Sequence, residues 1–264
     1  MKTKILALLN LLAFAFHLTF TSLVQMGKLS KMDMAQTSAK YDTVFAPAGI
    51  TFSIWGIIYL ALISFSLYHL YAAFYKAKNE PSNLITNSLG VLFIINNLAT
   101  ALWLLAWLNE ELLISVILML IQLTALILIH IRLNRLNIIS TFSFQFFTNI
   151  PLSIYFGWIS IATIANISAY LKSINWTGGI SESLWAIILI AIASLITLFM
   201  VIIRKNIPFG LVVLWALYGI VLKRQQVNAI EFESVIQASF MAFIIIFIGL
   251  IIRLLKIVKP AKEF

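Results

Sequence analysis

Three short runs of aromatic and polar residues interrupt an otherwise apolar chain. Thr51, Trp55 and Tyr59 recur every four residues, Asn96, Thr100, Trp103 and Trp107 at four, three and four, and Tyr155, Trp158, Ala162 and Asn166 at three, four and four. On an α-helix such spacing gathers each set onto one face. Indole and phenol rings on a face of this kind either line a ligand pocket or pack solidly against neighbouring helices, with the Asn96 and Asn166 amides as the polar groups among them. No carboxylate, lysine or cysteine lies among these residues, so the chemistry they suit is binding, with no catalytic residue assigned.

Membrane helices are the elements that must position them. Of the 264 residues, 62% are hydrophobic and 10% charged, whereas a soluble domain is roughly half apolar and a quarter charged. Several apolar runs reach the ~18 to 20 residues that cross about 30 Å of hydrocarbon. The pattern predicts an all-α fold, a polytopic membrane bundle of about eight transmembrane helices. They are placed at Ile5 to Gln25, Gly49 to Tyr71, Ile85 to Leu108, Leu112 to Ile131, Phe142 to Leu171, Leu184 to Ile203, Ile207 to Leu222 and Val235 to Leu255. At 16 residues the seventh is short; Pro208 is tolerated in a first helical turn, and a re-entrant segment is the alternative. The first run reads as a span and not a cleaved leader, because it is long, carries Asn10 and His17, and has no small-x-small site after it.

The net charge of +9 is dispersed in pairs between apolar runs, without the basic stripe and interleaved aromatics of a nucleic-acid surface. These charges read as topology signals. Lys2, Lys4, Lys76, Lys78, Arg132, Arg135, Arg204, Lys205, Arg253, Lys256, Lys259 and Lys262 fall on one side; Lys28, Lys31, Lys40, Lys172, Lys223 and Arg224 fall on the other. Twelve against six places both termini in the cytoplasm, with the chain integral to the cytoplasmic (inner) membrane. All nine acidic residues lie in loops or at helix ends, which disfavours proton- and ion-coupled machines that keep ionisable groups in mid-membrane. His17, His69 and His130 sit on three helices without metal-ligand spacing, so no metal site is expected. His69 and His130 are near helix ends, where the ring reaches water; His17 is deeper, either an axial haem ligand or a hydrogen-bond partner within the bundle. Cys is absent, which removes disulfides and thiolate chemistry.

Tryptophan also anchors helices at the membrane interface, and Trp107, Trp176 and Trp185, at helix ends or in a loop, fit that role. Trp158 does not, since it lies about 20 Å from either end of its span at ~1.5 Å per residue. Alternating helix directions put Trp55, Trp103 and Asn166 in the half of the bilayer away from the cytoplasm, beneath the 26–48 loop. Either a ligand pocket or solid packing satisfies that geometry.

The stretch FAPAGITFSIWGIIY, with Pro47, Trp55 and Tyr59, resembles the start of the second helix in the tryptophan-rich sensory protein (TspO, or translocator protein) family. IPLSIYFGWISIATIAN resembles that family's fifth helix through Tyr155, Trp158 and Asn166. LATALWLLAW resembles its third, except that Thr100 stands where Asn is expected three residues before Trp103, and the family's proline pair is reduced to Ala46 and Pro47. The resemblance covers residues 1–172 as a five-helix core, leaving 173–264 as three additional helices and a short basic tail. It implies a cavity closed by the first loop, with Phe45 and Pro47 in the lid, that takes porphyrins, sterols or synthetic aromatics. Trp55, Tyr59, Trp103, Tyr155 and Trp158 would form its aromatic walls, with Asn96, Thr100, Ala162 and Asn166 between them. A porphyrin or haem would be a ligand and no cofactor would be required; a homodimer is also implied. Leu214, Tyr218, Lys223 and Leu67, Tyr71, Lys76 fit a loose sterol-contact pattern that recurs by chance in such proteins.

The leading expectation is therefore a membrane receptor that binds or senses a flat tetrapyrrole or sterol-like ligand. A transporter or permease subunit for a hydrophobic solute, prompted by the three additional helices, is the alternative. A third reading is an enzyme that degrades bound porphyrin by tryptophan-assisted photochemistry.

Overall fold

The computed structural model describes residues 2–30, 32–136, 138 and 141–258, among which all regular structure is helical. Lys31, Lys259 and Lys262, counted in the charge asymmetry, lie outside them. The helices are α1 (Lys2–Gln25), α2 (Met34–Lys40), α3 (Gly49–Tyr75), α4 (Pro81–Leu89), α5 (Leu92–Leu108), α6 (Leu112–Arg135), α7 (Phe142–Ser173), α8 (Glu182–Ile203), α9 (Ile207–Asn228) and α10 (Glu233–Val258). Among the described residues, seven are long and apolar enough to cross a membrane, and α4 with α5 makes an eighth if the pair is one span bent by 56°. The expected bundle of about eight transmembrane helices stands.

Its residues gather into two compact units, Met1–Tyr41 with Trp55–Leu152, and Asp42–Ile54 with Ser153–Phe264. In the first, α5 packs on both α1 and α6. Polar side chains join these helices because lipid offers no competing partner: His17 Nδ1 meets Asn97 Oδ1 at 3.0 Å, and Asn96 Nδ2 donates to Gln122 O at 3.1 Å. Asp33 starts α2 with a reciprocal capping box, its side chain accepting from Gln36 N while the Gln36 side chain accepts from Asp33 N. Lys40 and the Tyr41 hydroxyl then both donate to Glu110 Oε2, the tyrosine at 2.6 Å. Glu110 itself takes a left-handed φ of 66° in the turn from α5 to α6.

The bend between α4 and α5 is absent from the sequence reading. Gly90 adopts φ 56°, ψ −128°, and ends α4; Arg132 Nη1 donates to the freed Ser88 carbonyl at 3.0 Å. His69 fastens α4 to the rest of the unit, with Nδ1 3.1 Å from Thr86 Oγ1 and Nε2 3.0 Å from Thr148 Oγ1. At 4% exposure it is buried. The expectation that its ring reaches water is corrected by α4 folding over it. A π-helical turn, Gln145–Asn149, precedes Pro151, where the missing N–H and the ring of proline disturb the ordinary ladder.

In the second unit α10 packs on α8 and α9. The Asn206 side chain caps α9 by accepting from Phe209 N at 3.1 Å, with Pro208 in the first turn. The helix then runs 22 residues to Asn228, a full-length span in place of the short segment ending at Leu222. It continues because Lys223 and Arg224 find a carboxylate, Asp42, at 2.5 and 3.5 Å, and the Arg224 guanidinium lies 5.0 Å from the Phe232 ring centroid.

Candidate functional site

In the first unit the structure brings together three of the predicted aromatic residues. Trp55 and Tyr59, one turn apart on α3, have ring centroids 5.3 Å apart; across to α5, the Trp55 and Trp103 indoles lie 6.5 Å apart with planes 28° from parallel. His17 of α1 extends the row, its ring edge-on to Tyr59 at 5.7 Å. Trp103 is 7% exposed, and Trp55 and Tyr59 are half-buried.

Hydrogen bonding fixes which polar atoms remain open. Asn97 Nδ2 donates to Phe93 O at 2.8 Å, so its Oδ1 is the atom that accepts from His17 Nδ1–H. That tautomer leaves His17 Nε2 a bare acceptor, buried and without a hydrogen-bond partner among the described residues. His17 thus acts as the hydrogen-bond partner within the bundle that its depth allowed. Asn96 spends its amide nitrogen on Gln122 O, and its Oδ1 is likewise buried and unmatched. The indole N–H groups of Trp103 and Trp107 are in the same condition. Two acceptors and two donors without partners among the described residues are costly to bury. Such atoms mark a place where a polar ligand edge or water belongs.

Thr100 Oγ1 is within hydrogen-bond reach of Asn96 O, 2.8 Å, and of Gln122 Oε1, 3.0 Å. Gln122 of α6, itself fully buried, thus sets an amide beside Thr100. Sequence reading passed over Gln122; an amide in the middle of a hydrophobic run was the available signal. It also took Trp107 for an interfacial anchor, but that indole is 7% exposed and tilted against Tyr41 at 6.4 Å.

The remaining predicted residues belong to the second unit. Tyr155 and Trp158 are buried at 0% and 2% exposure, Asn166 at 4%, and Ala162 is half-buried. Phe52 meets Trp158 edge-to-face, centroids 5.7 Å apart at 84°. Phe45 and Pro47 are both buried. Their segment is tied to α9: Ala48 N donates to Gly219 O and Trp215 Nε1 to Thr51 O, both at 2.9 Å. A Cβ on Gly219 would stand 3.0 Å from Pro47 Cβ and 2.1 Å from Thr51 Oγ1, so only glycine admits this contact.

The sequence model of the family described as TSPO-like protein matches residues 7–252. The chain belongs to the TSPO-like family. The match runs past residue 172, where the recognisable helix motifs end, through the last three spans. No curated protein and no solved structure matches the chain. For the TSPO-like chain the seven spans and the bent α4–α5 pair all lie inside the matched region or overlap its ends. Among the described residues no cluster of His, Cys, Asp or Glu can hold a metal ion.

Proposed function

We propose that this membrane protein binds and senses a flat tetrapyrrole-like ligand on the indole faces of Trp55 and Trp103. The observation that carries this reading is the near-parallel indole pair, together with unmatched polar atoms of both kinds on α1 and α5. A stacked aromatic surface favours a flat π-system. Unmatched acceptors, His17 Nε2 and Asn96 Oδ1, with unmatched donors, Trp103 and Trp107 Nε1, favour a ligand bearing N–H groups and carboxylates over a sterol with one hydroxyl. Family membership and the sequence stripes support the same class. Tyr155, Trp158, Ala162 and Asn166 are proposed as further ligand contacts from their spacing alone, and Phe45 and Pro47 as lid residues. We place both termini in the cytoplasm, in the inner membrane, and expect a homodimer.

The test is a titration of nanodisc-embedded protein with protoporphyrin IX, followed by tryptophan emission, alongside cholesterol as competitor. Saturable quenching that cholesterol leaves unchanged supports the reading. Quenching that never saturates, or that Trp103→Phe with Asn96→Leu does not weaken, overturns it. Vesicle flux separates binding from transport: a receptor holds the porphyrin, whereas a permease equilibrates it across the bilayer.

A further inference from the structure

We propose a second small-molecule site, wholly within the second unit, for a flat aromatic carboxylate of two or three rings. An open cleft of about 290 Å³ is lined by the end of α7, the start of α8 and the chain at Thr43–Phe45. That volume is near the lower bound of the roughly 300 to 1,000 Å³ typical of ligand pockets; it fits a small fused ring system and not a macrocycle.

The lining divides into an apolar body and a polar mouth. Phe45, Ile167, Leu171 and Leu189 supply aliphatic and aromatic wall, and Trp176 and Trp185 form a corner, with ring centroids 5.4 Å apart at 43°. This corner is built rather than incidental. Trp185 Nε1 donates to Thr177 O at 2.6 Å, which fixes its ring. The chain turns beneath both indoles at Gly178, φ +59°, where a Cβ would come within 3.1 Å of each ring. Interfacial anchors, the role their positions predicted, need neither the ring contact nor the glycine.

Two observations point to a polar ligand. Thr43 lines the cavity at 8% exposure, and its Oγ1 has no hydrogen-bond partner among the described residues. At the mouth, Lys172 pairs with Glu182 at 3.1 Å, both side chains well exposed. An exposed pair of this kind contributes little, so an incoming carboxylate can take Lys172 at small cost. Glu182 stays stabilised by its place in the first turn of α8.

The probe is 6-azido-2-naphthoate, photo-crosslinked to the full chain in nanodiscs, with its methyl ester as control and 2-naphthoate as competitor. Expected are saturable, competed adducts within residues 43–45 and 164–189. Lys172→Met should raise the half-saturating concentration of the carboxylate about fivefold, the scale of one exposed charge pair, and leave the ester unchanged. Thr43→Val and Trp176→Leu should weaken both probes, while retained thermal stability shows that the variants fold. Adducts scattered over all spans without saturation would overturn the proposal. So would equal labelling of Lys172→Met and wild type, preference for 6-azido-2-naphthylmethylamine, or a phospholipid in native mass spectra that 2-naphthoate does not displace.

Discussion

His17 Nδ1 and Asn97 Oδ1 lie 3.0 Å apart, eighty residues from one another in sequence, and this buried bond joins α1 to α5. Both side chains are 0% exposed. Asn97→Leu removes the partner of His17 Nδ1, so that neither ring nitrogen is matched among the described residues. Interhelical hydrogen bonds in membranes contribute about 0.6 to 1.7 kcal/mol, so thermal unfolding in detergent should show a loss of that size. His17→Leu with Asn97→Leu together should cost less than the sum of the single changes. Additive losses would mean the bond does not couple the helices.

Gly219 is where the 42–54 segment seats on α9, and Ala there overfills the contact with Pro47 and Thr51. Overpacking of this kind costs about 1 to 3 kcal/mol. Gly219→Ala should speed proteolytic cleavage between residues 42 and 48 while the helices persist by circular dichroism. Unchanged cleavage would show that the segment holds without this contact.

Alkaline pH should release α2. The hydrogen bond to Glu110 is the main cause raising Lys40 above its ordinary 10.5 and Tyr41 above its ordinary 10.0. For both groups the protonated form is the one favoured in the fold. Their contribution is therefore full below about pH 10 and is lost as pH rises through the raised values. Subtilisin cleavage near residue 40 should accelerate from about pH 10 upward, and Glu110→Gln should cleave rapidly already at pH 8. A cleavage rate flat from pH 8 to 11 in the wild type would contradict this.

Apolar run length made the spans legible, and helical spacing placed Trp55 beside Tyr59; Thr51 lies in a 3-10 turn, with its hydroxyl beside Gly219. What spacing could not carry was partnership across the chain. Lys223 and Arg224 read as the end of a helix because a charge in a span is costly; Asp42, 181 residues from Lys223, lets α9 continue. His69 read as a wetted helix end and Trp107 as an interfacial anchor, whereas α4 and Tyr41 cover them. The 56° bend depends on Gly90 taking a positive φ and on Arg132 meeting the freed carbonyl, neither of which leaves a hydrophobic signature. α2 was readable: Asp33-Met-Ala-Gln36 is a capping-box sequence, hidden inside what was taken for a loop.

The central claim, that the facing indoles of Trp55 and Trp103 hold a flat ligand, is tested most directly by a calorimetric double-mutant cycle with protoporphyrin IX in nanodiscs. Stacking on one aromatic side chain is worth about 1 to 3 kcal/mol, so Trp55→Leu and Trp103→Leu should each lower affinity about tenfold. Because both rings would touch one ligand, their joint loss should fall short of the sum. Wild-type affinity in both single variants would contradict the account.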